Sequence, residues 1–174
     1  MCANFTPSYL NYTIMQDKKQ HITFTVYQTE AELPLEDKEL IDLAKDATET
    51  SFSPYSNFCV GAAVLLENGK VVQGSNQENA SFTTGTCAER CAMFYANAQY
   101  PGVAVSAIAI AAKKRNGAFT NVPISPCGAC RQVLAEVEHR QTKPYKVILY
   151  GAKEIYSFDT MACLLPFQFN GDSL

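Results

Sequence analysis

Three cysteines stand at spacings that are typical of a metal site. Cys127 and Cys130 lie three residues apart in the segment Pro-Cys-Gly-Ala-Cys, and Cys87 opens the segment Cys-Ala-Glu-Arg. Residues three apart share one helical face, and the free N–H groups at a helix N-terminus favour thiolates. We therefore expect both segments to begin helices and the three sulfur atoms to converge. Three protein ligands leave the fourth position of a tetrahedral zinc ion open to water, which is the catalytic arrangement.

The two residues that follow in the Cys-Ala-Glu-Arg segment could complete a hydrolytic site. A catalytic zinc ion lowers the pKa of water to about 7, and a proton carrier must then stand beside it. Glu89, two residues after Cys87, is the carboxylate placed for that task. Arg90 could hydrogen-bond the ligand sulfurs and offset their negative charge. The spacing thus predicts metal-dependent hydrolysis with Glu89 moving protons.

Two other interpretations use the same residues. Thr86 and Glu89 have the spacing of a capping box, in which the carboxylate only closes the helix N-terminus. Cys91 lies one turn after Cys87 and could be the fourth ligand of a closed structural zinc site, as in a zinc-stabilised interaction module. A closed site would leave Glu89 and Arg90 without a role, and for this reason we favour the catalytic interpretation.

The hydrophobic pattern predicts the elements that would position these residues. It indicates helices over 35–48, 87–99 and 127–138, and strands over 21–28, 58–66, 71–74, 103–112, 146–150 and 154–158. The connection through the helix 127–138 predicts parallel strands on either side of it, and the three-residue connector 151–153 predicts an antiparallel last strand.

The order of these elements predicts an α/β protein. We expect a three-layer α/β/α sandwich around a five-stranded mixed sheet. Residues 1–30 are predicted to form an N-terminal extension with one strand, and residues 31–174 the catalytic domain.

Composition limits the partners and the compartment. The net charge is −3 and the pI is near 5.4, so the chain lacks the basic balance of proteins that bind nucleic acid. We find no apolar run near the roughly 20 residues that span a bilayer, and no signal-peptide pattern. Seven cysteines, an odd number, argue against a disulfide framework. We expect a cytoplasmic protein that binds neither nucleic acid nor membranes.

Four ordered motifs resemble those of the small, homotetrameric, three-cysteine cytidine deaminases. They are Ser-Pro-Tyr-Ser-Asn-Phe-Cys-Val-Gly-Ala-Ala at 53–63, Asn-Gln-Glu-Asn-Ala at 76–80, Cys-Ala-Glu-Arg at 87–90 and Pro-Cys-Gly-Ala-Cys at 126–130. The resemblance runs from about residue 40 to residue 169. It implies a cytidine deaminase-like fold, one zinc ion per subunit on Cys87, Cys127 and Cys130, and Glu89 as the proton shuttle. The chain departs from the family at Cys91, usually threonine, and at Ser51-Phe52, often Ala-Tyr.

The same resemblance implies how a substrate would be held. Asn76 and Glu78 would bind the ribose 3′-hydroxyl, and the backbone of Ala88 would contact the base. Phe58 would flank the pyrimidine, and Phe169 would reach the site of a neighbouring subunit in a homotetramer.

The implied reaction is hydrolytic deamination of cytidine and 2′-deoxycytidine, in pyrimidine salvage. Another aminopyrimidine nucleoside, such as the antibiotic blasticidin S, is the nearest enzymatic alternative. A polynucleotide-editing deaminase is disfavoured by the acidic charge and by the short connector 151–153.

Overall fold

This computed structural model describes residues 19–174 of the chain, which contain six strands and three α-helices. In chain order the elements are β1 (Thr25–Tyr27), α1 (Leu35–Ala47), β2 (Phe58–Leu66), β3 (Val71–Ser75), α2 (Ala88–Gln99), β4 (Val105–Lys114), α3 (Gly128–Gln141), β5 (Lys146–Tyr150) and β6 (Ile155–Phe158). No helix within these residues combines the length and the apolar character needed to cross a membrane.

The strands form one mixed sheet in the order β1-β6-β5-β4-β2-β3. The neighbours β4 and β5 run parallel, whereas the other neighbouring strands run antiparallel. The predicted parallel pair on either side of α3 and the predicted antiparallel last strand are therefore confirmed.

The prediction of five strands was wrong, because the N-terminal extension adds a sixth. Only Thr25–Tyr27 of the predicted strand 21–28 pairs, and it joins β6 antiparallel at the edge of the sheet. The Phe24 ring stacks on that of Phe158 with 5.0 Å between centroids, which helps to hold the segment on β6. Residues 1–18 of the extension lie outside the described residues.

Helices cover both faces of the sheet, as the sandwich prediction requires. Leu40, Ile41 and Ala44 of α1 pack with small sheet residues such as Ala63 and Ala109 on one face. On the other face, α2 and α3 pack against the sheet through a second apolar cluster that includes Met93 and Leu134. The two helices that carry the cysteine motifs thus share one face.

Gly74 of β3 lets α2 lie directly on the sheet. A Cβ atom at this position would stand 2.4 Å from the backbone nitrogen of Ala92 and 2.8 Å from the carbonyl oxygen of Ala88. Both distances are far shorter than van der Waals contact. The first turns of α2, and with them Cys87, are therefore seated on the strand without an intervening side chain.

Candidate active site

The beginnings of α2 and α3 bring three cysteines together. Cys87 is the N-cap residue of α2 and Cys127 is the N-cap residue of α3, and both have extended backbone conformations. Cys130 follows in the first turn of α3 and is fully buried. Neither N-cap side chain makes a capping hydrogen bond, so the sulfur atoms of both residues can serve as ligands.

The sulfur positions fit a zinc ion. The Sγ atoms of Cys87 and Cys127 lie 3.8 Å apart, those of Cys127 and Cys130 lie 3.5 Å apart, and all three lie within 4.8 Å of one another. Zinc–sulfur bonds of about 2.3 Å in a tetrahedron place neighbouring sulfur atoms about 3.8 Å apart. This cysteine cluster (Cys87, Cys127 and Cys130) thus has both the donor chemistry and the spacing for zinc.

Charge at the cluster favours a thiolate on Cys87. Hydrogen bonding with Cys130 lowers the pKa of Cys87 to about 5, and the guanidinium of Arg90 acts in the same direction. The Arg90 Nη2 atom lies 3.9 Å from the Cys87 sulfur, and the buried Nε of Arg90 has no hydrogen-bond partner among residues 19–174. Because zinc binds deprotonated cysteine, a site that already stabilises a thiolate is prepared for the metal.

Glu89 lies in the first turn of α2, two residues after the cluster residue Cys87. Glu89 is only 5% exposed. This burial raises the pKa of its carboxyl group, and the nearby Cys87 thiolate raises it further. A buried carboxyl group whose pKa is raised holds a proton more readily than an exposed one, which suits a group that must accept a proton and pass it on.

The capping-box interpretation of Glu89 does not describe this helix. It requires Thr86 to be the N-cap residue, with its backbone N–H bonded to the Glu89 side chain. The N-cap residue is instead Cys87, and the Thr86 N–H donates to the carbonyl oxygen of Gln77 at 2.9 Å.

The closed four-cysteine site is also not formed. Among residues 19–174, the group of potential metal ligands contains the three cysteines of the cluster and not Cys91. Cys91 lines a different cavity, between α1 and β3, together with Gln73, Ser75 and Leu43. Within the part of the chain that the structure describes, no fourth cysteine joins the cluster, which leaves a coordination position open there.

An open cleft of about 520 Å³ leads to the cluster, a size within the usual range of small-molecule sites. Cys87 and Arg90, where α2 begins, are two of the residues that line it. The remaining wall comes from the loop before β2 and from the segment between β3 and α2, with Tyr55, Ser56, Asn76, Gln77, Glu78, Asn79, Phe82, Gly85 and Thr86.

Asn76 and Glu78, which the family resemblance implies as substrate ligands, both line this cleft. The Glu78 carboxylate accepts hydrogen bonds from the Ser56 hydroxyl and from the backbone N–H groups of Tyr55 and Ser56. These bonds, that of the Ser56 hydroxyl foremost, lower the pKa of Glu78. The carboxylate is thus held in its ionised form at the cleft, where it can accept a hydrogen bond from a ligand hydroxyl.

The other three residues that the resemblance implies as substrate contacts do not line the cleft of this chain. Ala88 is fully buried as the first residue of α2, next to Cys87. Phe58 contributes its carbonyl oxygen to Asn76, but its ring does not line the cleft of this chain. Phe169 is 60% exposed and its carbonyl oxygen accepts a bond from Gln132 of α3, outside the cleft.

Two aromatic residues of the cleft were missed by sequence reasoning. Tyr55 and Phe82 stand at its rim with their rings edge-on and the centroids 5.9 Å apart. Tyr55 lies inside the Ser-Pro-Tyr-Ser motif, which could have marked it. Nothing in the sequence distinguishes Phe82 from a core residue, yet it is 79% exposed.

Comparison with known proteins defines the class to which this fold and site belong. Residues 34–145 match the family model of the cytidine and deoxycytidylate deaminase zinc-binding region. The chain belongs to this family of zinc-dependent hydrolases, and the match, together with the geometry of the cysteine cluster, confirms the predicted zinc cofactor.

Similar individual proteins are cytidine deaminases. The enzyme of Halalkalibacterium halodurans is 41% identical over 136 residues, which are 78% of this chain and 95% of that protein. The enzyme of Sporosarcina psychrophila is 41% identical over 138 residues, covering 79% and 93%. The crystal structure of cytidine deaminase from Burkholderia pseudomallei is similar with a TM-score of 0.65 and 41% identity, covering 75% of this chain and 97% of that one. The predicted family and α/β fold are thereby confirmed.

Proposed function

We propose that this protein catalyses the zinc-dependent hydrolysis of cytidine and 2′-deoxycytidine to uridine and 2′-deoxyuridine, with release of ammonia. The observation that carries the proposal is the convergence of three ligand sulfurs near the buried Glu89, with one of them, that of Cys87, lining a nucleoside-sized cleft. The family match and the cytidine deaminases that are 41% identical over most of their length support the same substrate class.

The chemistry divides between the metal and Glu89. Zinc held by Cys87, Cys127 and Cys130 supplies Lewis-acid activation of water at neutral pH. Glu89 takes a proton from the attacking water and delivers it to N3 of the pyrimidine. It then moves the second proton to the amino group on C4, which leaves as ammonia. Arg90 offsets the negative charge of the sulfurs and so favours ionisation of the water.

Ribose recognition falls to Asn76 and Glu78. An N–H of the Asn76 amide donates to the 3′-hydroxyl oxygen, and the ionised Glu78 accepts the hydroxyl proton. Neither contact uses the 2′-hydroxyl, which is why both cytidine and 2′-deoxycytidine are proposed as substrates. The pair also favours an ordinary nucleoside over the antibiotic blasticidin S.

The remaining contacts involve the base and a second subunit. The backbone of Ala88 contacts the base and Phe58 flanks it, while Phe169 completes the site of a neighbouring subunit in a homotetramer. The exposure of Phe169 outside the cleft of its own chain supports that arrangement. The cysteines found among residues 19–174 are all free, which supports a reducing compartment such as the cytoplasm. The proposed substrates place the reaction in pyrimidine salvage.

Replacing Glu89 by glutamine tests the proposal directly. The variant keeps the size of the buried side chain and the three sulfur ligands, so we expect it to retain one zinc ion per chain. Its kcat for cytidine should fall by a factor of about 10² to 10⁴, the usual contribution of general acid–base catalysis.

Metal content by mass spectrometry and the change in ultraviolet absorbance of cytidine give the two readouts. Glu136→Gln, at an exposed position of α3, is the matched control and should change neither. Near-normal turnover by Glu89→Gln would refute the proposed mechanism.

A further inference from the structure

We propose that Ser51 is a positioning residue that holds the Asn76 amide in the orientation needed to select the 3′-hydroxyl of the substrate. The role rests on the proposed function, in which Asn76 binds the ribose 3′-hydroxyl. Ser51 itself does not line the cleft. Ser51 is 25 residues before Asn76, yet its Oγ lies 2.6 Å from the Asn76 Oδ1.

Two backbone groups fix the positions of the oxygen and the nitrogen of the Asn76 side-chain amide. The Val60 N–H, which can only donate, points to Oδ1 at 2.9 Å. The Phe58 carbonyl oxygen, which can only accept, lies 2.9 Å from Nδ2. The Ser51 hydroxyl is then the second donor to Oδ1. Both acceptor positions of the amide and one of its two N–H groups are thus occupied, which leaves one N–H for a ligand.

The direction of the Ser51 proton follows from its neighbours. Arg115 can only donate, and its Nη2 lies 3.1 Å from the Ser53 Oγ, which is 3.1 Å from the Ser51 Oγ. The single Ser51 proton can reach either Ser53 Oγ or Asn76 Oδ1, and it goes to Oδ1, which can only accept and lies closer, at 2.6 Å against 3.1 Å. Cys59, with its sulfur 3.4 Å from the Ser53 Oγ, can donate to that oxygen. Ser53 Oγ is therefore supplied by Arg115, and the Ser51 hydroxyl is free to donate to Asn76.

Loss of the Ser51 hydroxyl would affect the substrate only through Asn76. The Oδ1 atom would keep the Val60 donor alone, and the amide would be less firmly held. Its free N–H would then be aimed less well at the 3′-hydroxyl. Substrates that lack this hydroxyl make no such bond, so they should not respond to the change.

The experiment compares kcat/KM for cytidine and for 3′-deoxycytidine in the full-length, zinc-loaded enzyme. In Ser51→Ala we expect kcat/KM for cytidine to fall about fivefold, the net effect of one hydrogen bond. The loss should appear mainly in KM, and kcat/KM for 3′-deoxycytidine should stay within about twofold of wild type. Ser51→Thr keeps a hydroxyl and should therefore show the wild-type preference for cytidine over 3′-deoxycytidine. Asn76→Ala removes the whole amide and so measures how much of the preference for cytidine over 3′-deoxycytidine depends on it.

Thr50→Val is the matched control. It removes a neighbouring hydroxyl, which lies 2.9 Å from the Ser75 Oγ and does not contact Asn76, so the ratio of the two substrates should not change. A Ser51→Ala variant that loses activity equally on both substrates, or keeps the wild-type ratio, would overturn the role. Wild-type enzyme that deaminates neither nucleoside would refute the proposed function itself.

Discussion

Adding one methyl group at Gly74 should weaken zinc binding, although Gly74 does not contact the cysteine cluster, because it displaces α2. Gly74 lies under α2, and a Cβ atom there would be 2.4 Å from the Ala92 nitrogen, against an ordinary contact of about 3.4 Å. The neighbouring atoms belong to helix backbone and cannot rotate away. In Gly74→Ala, α2 must therefore move off the sheet by about 1 Å.

That displacement is large compared with what zinc tolerates. Cys87 moves with α2, whereas Cys127 and Cys130 belong to α3, so the sulfur triangle is distorted. Zinc sites hold their ligand distances to about 0.2 Å. We expect Gly74→Ala to bind zinc at least about tenfold more weakly and to lose about 1–3 kcal/mol of unfolding free energy, the usual cost of overpacking.

Competition with a chromophoric chelator would measure zinc affinity, and urea unfolding followed by circular dichroism would measure stability. Gly171→Ala is the matched control, since a Cβ atom there meets nothing within 4 Å, and it should behave as wild type. A Gly74→Ala protein with wild-type zinc affinity and stability would refute the direct seating of α2 on β3.

Three further predictions concern the site and the assembly. Cys91→Ser should keep both zinc and activity, because Cys91 lies outside the cysteine cluster, and loss of zinc would restore the four-ligand interpretation. Ser56→Ala should raise the pKa of Glu78 towards its usual value, because the hydroxyl bond that does most to lower it is lost. The carboxyl ¹³C shift would then titrate at higher pH, and an unchanged titration would contradict the assignment. Sedimentation should show a homotetramer, with activity reduced in Phe169→Ala, whereas a fully active monomer would disprove a shared site.

Features that depend on local spacing were predicted well from the sequence. The three-residue interval between Cys127 and Cys130 placed both sulfurs at one helix beginning, and the structure has that helix begin at Gly128. Connector lengths gave the parallel pair β4 and β5 and the antiparallel pair β5 and β6. The convergence of Cys87 with the other two ligands followed from these features, because both helices return to the same face of the sheet.

Features that depend on distant pairing could not be obtained in this way. The alternation around Val26 indicated a strand, but its partner β6 lies about 130 residues later, and Val26 itself stays 40% exposed. The contact of Ser51 with Asn76 likewise requires the loop before β2 to meet the end of β3. Neither residue type nor spacing carries that information.

The use of two cysteines as N-cap residues ties helix integrity to metal loading. Serine, threonine, asparagine or aspartate usually satisfies the unpaired N–H groups at this position. Cys87 and Cys127 do not, so zinc coordination fixes the two N-cap residues where a capping side chain otherwise would. Demetallation would therefore fray two helices at once, and hydrogen exchange should quicken at their first turns before the rest of the protein opens.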